Sequence, residues 1–275
     1  GSRALELYGQ LSGMALVLVN FPTIITISLA ASLVPSISEA FALKESLTIK
    51  RRTESALRLT ILIGLPASTG LYLLAEPLTS VIFNNIEAAV PLRFVSWGVF
   101  FITLQQTSSA ILQGIGKTGI PARNLFIGAI INGIINYTLT GLPQFGIKGA
   151  AIGTVVGFGL AAILNIIYVK KYTHFRFRLK VLILKPMLAV LVMGLVVNEG
   201  FIFLNNMFSK FTAYSYYLST FSIVLFAVLI YALFLLVLKE IRYSDIILIP
   251  KVGTKIADNL KKLGLVGDKN EDKRS

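Results

Sequence analysis

Carboxamides are the residues of this chain that could do chemistry, and they recur at helical spacing inside runs that are otherwise apolar. Thr103, Gln106, Ala110 and Gln113 fall at i, i+3, i+7 and i+10, with Gln105 adjacent. Gly128, Asn132, Asn136 and Thr140 repeat every four residues, and Asn20 and Thr23 share one side of another run, next to Pro22. Residues three and four apart lie on one face of a helix, so each set is a polar stripe. An amide in hydrocarbon has no water to bond and must face another helix or a wet cavity. Two chemistries follow: hydrogen bonds that hold helices together, or a lining that takes up a polar solute. Asn20, Thr23, Gln105, Gln106, Asn132 and Asn136 are the candidate lining of a substrate cavity. Gly149, Gly153 and Gly157, continued by Ala161 and Asn165, form a small-xxx-small stripe that predicts close helix packing.

Other chemistries lack their residues. The chain has no cysteine and one histidine, His174, in a basic loop. No carboxylate is central to an apolar run, and there is no Ser/His/Asp set, HExxH, P-loop or metal-ligand spacing. The expectation is a protein that is not an enzyme, with no metal and no cofactor.

The elements that must position the amides are read from charge and hydropathy. Of 275 residues, 55% are hydrophobic and 14% charged, with a mean hydropathy of +0.77. A soluble domain carries about a quarter charged residues. Here the charges are clumped, and the long runs between them reach the roughly 20 residues that cross a bilayer. The predicted fold class is an all-α integral membrane bundle of about seven spanning helices. The spans are Leu7–Pro35, Leu59–Phe83, Phe94–Gln113, Asn124–Leu142, Gly149–Val169, Pro186–Leu204 and Tyr214–Leu238. Basic loops, "KESLTIKRR", "GIGKTGIPAR" and "KKYTHFRFRLK", alternate with loops nearly free of Lys and Arg. All but about four of the 26 Lys and Arg fall on one side, which the positive-inside rule makes cytoplasmic. The N-terminus is then outside and the C-terminus cytoplasmic.

Lys50, Arg51 and Arg52 are expected as cations facing anionic membrane lipid, with Arg58 marking where the second span enters the membrane. Pro22, Pro66 and Pro77 are expected to bend their helices. The formal charge of +13 is thereby a membrane-surface charge; no basic face with base-reading residues points to nucleic acid. The stretch "LIPKVGTKIADNLKKLGL", residues 248–265, reads as a short amphipathic helix on the cytoplasmic leaflet.

Several of these stretches, taken as a set, carry a family likeness. "LYGQLSGMALVLVNFPTIITISLAASLVPSISEA", "RRTESALRLTILIGLPASTGLYLLAEPLTSVIF" and "SSAILQGIGKTGIPARN" closely resemble the second half of the stage V sporulation protein B-like polysaccharide transporters. That branch belongs to the multidrug/oligosaccharidyl-lipid/polysaccharide exporter superfamily, which includes lipid II flippases. The resemblance implies one half of a fourteen-helix transporter in which two six-helix lobes enclose a cavity and two helices follow. Residues 1–172 would hold most of the second lobe, 173–240 the two additional helices, and 241–275 a basic cytoplasmic tail. The chain would be a C-terminal fragment whose partner is the missing N-terminal lobe, in a bacterial plasma membrane. Its substrate would be a lipid-linked saccharide, such as a peptidoglycan precursor, moved between leaflets. Characterised lipid II flippases carry acidic and arginine residues in the first helix of this region. Here "MALVLVNFP" has Asn20 as its only strongly polar member, so those residues are not carried over.

Overall fold

In hydrocarbon a backbone N–H has only its own segment to bond, so a chain this apolar must fold as helices. The computed structural model describes residues 2–175, 179–210, 214–238 and 258, and every regular element among them is helical. In order these are α1 (Ser2–Gly9), a π-helical turn (Gln10–Ala15), α2 (Leu16–Ala42), α3 (Ser46–Leu73), α4 (Ala75–Phe83), α5 (Ala89–Gly114), α6 (Gly119–Thr140), α7 (Ile147–Thr173), α8 (Leu179–Phe208) and α9 (Ser215–Val237). The first helical run is longer than the predicted span Leu7–Pro35. α1, the π turn and α2 follow one another without a break from Ser2 to Ala42.

Five of the described helices are long and apolar enough to cross a membrane by composition: Arg3–Ala42, Ser46–Leu73, Ile147–Thr173, Leu184–Phe208 and Ser215–Val237. The predicted third and fourth spans, α5 and α6, have spanning length at 26 and 22 residues but are not among the five. These two helices carry Gln105, Gln106, Asn132 and Asn136, all the candidate cavity amides but Asn20. Burial explains how α5 can be polar: it packs against α2, α3 and α7 and sits at the centre of the bundle. α6 lies outermost, packed mainly on α7, while α8 and α9 pair with each other against α3 and α4.

The turns on the basic side are closed by left-handed caps. Lys44, at φ 56°, and Gly116, at φ 75°, each follow a helix whose last carbonyls accept from the chain beyond, Ala40 from Glu45 and Leu112 from Lys117. At Gly116 the positive φ requires glycine; at Lys44 a side chain tolerates it.

The three expected helix benders behave differently. Pro22 and Pro66 lie inside α2 and α3, which continue through them. A proline at 66 leaves the carbonyl of Leu62 without its intrahelical donor. Tyr231 of α9 supplies one, its hydroxyl donating to Leu62 O at 2.9 Å. Pro77 stands three residues beyond a true interruption at Leu74, which separates α3 from α4.

Candidate functional site

The amides are divided among three interfaces. At α2/α5, Thr26 Oγ1 donates to Gln106 Oε1 at 2.6 Å, inside the bundle and near Pro22 in sequence. Ser38 closes the same interface at its other end, donating to the terminal carbonyl of α5 at Gly114, 3.0 Å away. Gln105 points elsewhere, because neighbours in sequence are about 100° apart on a helix. It faces α7 and begins a buried chain of side chains. Gln105 Nε2 donates to Ser109 Oγ at 3.1 Å, Asn165 Nδ2 donates to the same hydroxyl at 3.0 Å, and Asn124 Nδ2 donates to Asn165 Oδ1 at 2.9 Å. Arg123 then donates to Asn124 Oδ1 at 3.4 Å and to the Tyr168 hydroxyl at 2.7 Å, where the chain reaches the surface. Three helices are stitched together by partners that leave few polar atoms unpaired, the condition for burying polar groups at all.

The third interface joins α6 and α7, and it is built from the two stripes at four-residue spacing. The carbonyl of Gly157 would lie 2.4 Å from a Cβ at Gly128, and that of Gly128 would lie 2.7 Å from a Cβ at Gly157. Real Cβ atoms do not come so near to backbone, so glycine alone permits this approach. Asn132 sits over Gly153, its Oδ1 2.7 Å from where a Cβ would be, and Leu139 covers Gly149 at 2.7 Å. Asn132 Oδ1 has no hydrogen-bond partner among the described residues. Asn136 is exposed and its Oδ1 accepts from Thr140 at 2.8 Å.

Of the six candidate cavity residues, then, Gln105 and Thr23 are buried, Gln106 and Asn132 are partly buried, and Asn20 and Asn136 are exposed. Thr23 donates to its own helix at Asn20 O, 2.8 Å away. No single contact network joins the six. Gly149, Gly153 and Gly157 all face α6.

The basic residues also separate. Lys50 is partly buried and Arg51 exposed, whereas Arg52 turns onto the end of α2, donating to Ser36 O and lying 3.8 Å from Glu39 Oε2. Arg58, expected at the membrane boundary, is only 6% exposed and lies within the bundle. The predicted amphipathic segment at 248–265 falls outside the described residues except for Asp258.

Sequence reasoning missed a fourth interface. Thr60, Gly64 and Ser68 of α3 run along α5. Thr60 and Thr107 share a 2.6 Å hydroxyl contact, Thr103 Oγ1 would stand 2.6 Å from a Cβ at Gly64, and Ser68 Oγ accepts from the Phe100 N–H at 3.0 Å. The signal was present: three small residues every four positions, as in α7. Polar pairs near the other end were also missed, Arg93 with Glu76 at 2.8 Å and Gln10 donating to Glu87 at 3.2 Å. Among the described residues no group of three or more His, Cys, Asp or Glu gathers as a metal site.

Long apolar helices around a polar centre define the class: a multi-pass helical membrane protein. Its fold is that of a transporter half. The structure superposes on a solved lipid II flippase MurJ in an inward closed conformation with a TM-score of 0.60, at 20% identity, over 86% of this chain and 47% of that one. The family model for the lipid II flippase MurJ matches residues 12–222, and the chain belongs to that family. Among curated relatives, stage V sporulation protein B of Bacillus subtilis is 32% identical over 177 residues, covering 64% of this chain and 34% of the relative. The membrane protein YabM of the same organism is 34% identical over 149 residues, covering 54% and 28%. The chain thus spans about a third of these curated relatives and about half of the solved flippase.

Proposed function

We propose that the chain is the second lobe and following helix pair of a flippase that carries a lipid-linked cell-envelope saccharide across the cytoplasmic membrane of a bacterium. The observation that carries this reading is the family match over residues 12–222. In this reading the chain is a fragment that works with an N-terminal lobe, and its C-terminus is cytoplasmic, as the loop charges require. The physics fits the task. A charged, hydrated sugar headgroup is costly in hydrocarbon, while its lipid tail is not, so a protein need only shelter the head as one lobe rocks against the other. Asn20 and Asn136, the exposed amides of the six candidates, are the hydrogen-bonding groups offered to that headgroup, with half-buried Gln106 and Asn132 as a second pair. Gln105 acts from inside the lobe, through the Ser109 hydroxyl that ties α5 to α7, while Thr23 bonds within α2 at Asn20 O.

The test is depletion of the full-length protein followed by chemical identification of lipid-linked intermediates on the inner leaflet. Accumulation of one lipid-linked saccharide, with loss of envelope synthesis, is the expected result. Drug sensitivity with normal growth and no accumulated intermediate would instead mark a drug or metabolite exporter. Asn20→Leu with Asn136→Leu in the full-length protein should reproduce the depletion if these amides meet substrate; unaltered envelope synthesis would remove them from the transport path.

A further inference from the structure

From Ala88 to Asn198 the sequence contains no Asp or Glu, although α5, α6, α7 and the loops between them carry several cations. Those at the end of the bundle where α5 leads into α6 and α7 finishes are not scattered. Two tyrosines one turn apart at the end of α7, Tyr168 and Tyr172, stack with ring centroids 6.4 Å apart and planes 18° from parallel. The Arg123 guanidinium lies 5.2 Å from the Tyr168 ring centre. The ammonium groups of Lys117 and Lys171 both approach Tyr172, at 5.4 and 6.0 Å. Lys117, Arg123 and Lys171 are exposed.

Three like charges around two adjacent rings repel one another, and the ring faces offset only part of that repulsion. Arg123 is moreover held in place. Buried Asn124, 1% exposed, accepts from it and is itself bonded to Asn165 at the centre of the bundle. A guanidinium held by one amide and a hydroxyl, with two ammonium groups on the adjoining ring and no carboxylate on α5, α6 or α7, is arranged for an external anion. The carboxylates of α2, α3 and their turn include Glu39, which faces Arg52. In the membrane arrangement proposed above, this end of α5, α6 and α7 meets the headgroup layer.

We propose that Lys117, Arg123 and Lys171, backed by Tyr168 and Tyr172, form a binding site for the phosphate of an anionic phospholipid at the membrane surface. The tyrosine rings suit the same layer, since their apolar faces lie against acyl carbons while the hydroxyls stay wet. That the inner leaflet supplies the lipid rests on the orientation proposed above. Binding itself does not depend on transport, so failure of the site and failure of the flippase reading are read separately.

The experiment uses the purified chain in mixed detergent micelles containing equal phosphatidylglycerol and phosphatidylcholine, with retained lipid counted by native mass spectrometry. Preferential retention of phosphatidylglycerol is expected, and this arm needs no variant to fold; equal retention of the two lipids overturns the proposal. Lys117→Gln, Arg123→Gln and Lys171→Gln are each expected to weaken retention about fivefold. Lys44→Gln with Lys210→Gln, which removes two exposed charges outside the cluster, should leave the tightest lipid bound. An equal loss in both sets would mean diffuse surface charge and no site. Addition of sodium phosphate should not displace the lipid; full displacement would show a site for free anions and overturn the assignment to phospholipid.

Discussion

α6 and α7 meet through residues that lack side chains, whereas α8 and α9 meet through residues that have large ones. In the first pair, Gly128 and Gly157 bring backbone against backbone, flanked by Asn132, Ala161 and, over Gly149, Leu139. In the second pair, Ala189, Val190, Met193 and Val197 pack with Ile223, Ala227 and Leu235 in one apolar cluster that also takes in Leu62 and Leu74. Here Gly200 also faces its partner helix, but what a Cβ would meet, at 2.9 Å, is the far end of Ile223. The lesson is that a glycine at a helix interface does not reveal its own importance. Backbone cannot move aside without shifting the helix, while the tip of an isoleucine can turn to another rotamer.

Four changes would break or sharpen the contrast. Gly128→Ala should have the largest effect, since its methyl would enter the Gly157 carbonyl; a loss of about 3 kcal/mol is expected, at the upper end for overpacking. The unfolding midpoint of the purified chain measures it, and a midpoint equal to wild type would mean the pair is looser than described. Asn165→Ala comes next. It strips Asn124 and Ser109 of buried partners, at about 2 kcal/mol, and should be seen as faster amide exchange in α6 as well as α7. Were only α7 affected, the chain of side chains would not couple the three helices.

Tyr231→Phe is expected to cost about 1 kcal/mol, because it returns the Leu62 carbonyl to the unpaired state that Pro66 created. Restoring the N–H tests that cause: in a Pro66→Ala background the same tyrosine change should cost less than half as much. Gly200→Ala should have the smallest effect, within about 1 kcal/mol of zero and on the stabilising side, since alanine favours the helix by that amount. A loss as large as that of Gly128→Ala would erase the distinction between the two interfaces.

Much of the fold was legible. Charge-free runs marked the apolar helices, and the family match confirmed the transporter branch that the stretches around Pro35, Pro66 and Gly116 resemble. The bundle's polar centre was less legible for a physical reason. Gln105 and Gln106 are the same residue type at adjacent positions, yet one bonds Ser109 of its own helix, the hydroxyl that Asn165 of α7 also meets, and the other bonds Thr26 of α2. Their divergence follows from helical rotation, but the partner each meets does not. Thr60, Gly64 and Ser68 are readable as a stripe of small residues at four-residue spacing, but the spacing alone does not say that α5 is what they face. Tyr231 was readable in another way, as the lone hydroxyl in the stretch "VLIYALFLLV", which in hydrocarbon had to find an acceptor.

By itself the sequence determined which segments are greasy enough to leave water, which residues share a helix face, and on which side the cations gather. These follow from composition and the helical repeat, which are local. Only the tertiary structure decided that Asn165 would bridge α5 and α6, that Tyr231 would repair the gap left by Pro66, and that Gly128 would face backbone while Gly200 faces a movable side chain. A stripe specifies that something must be faced; the packing of the whole bundle specifies what.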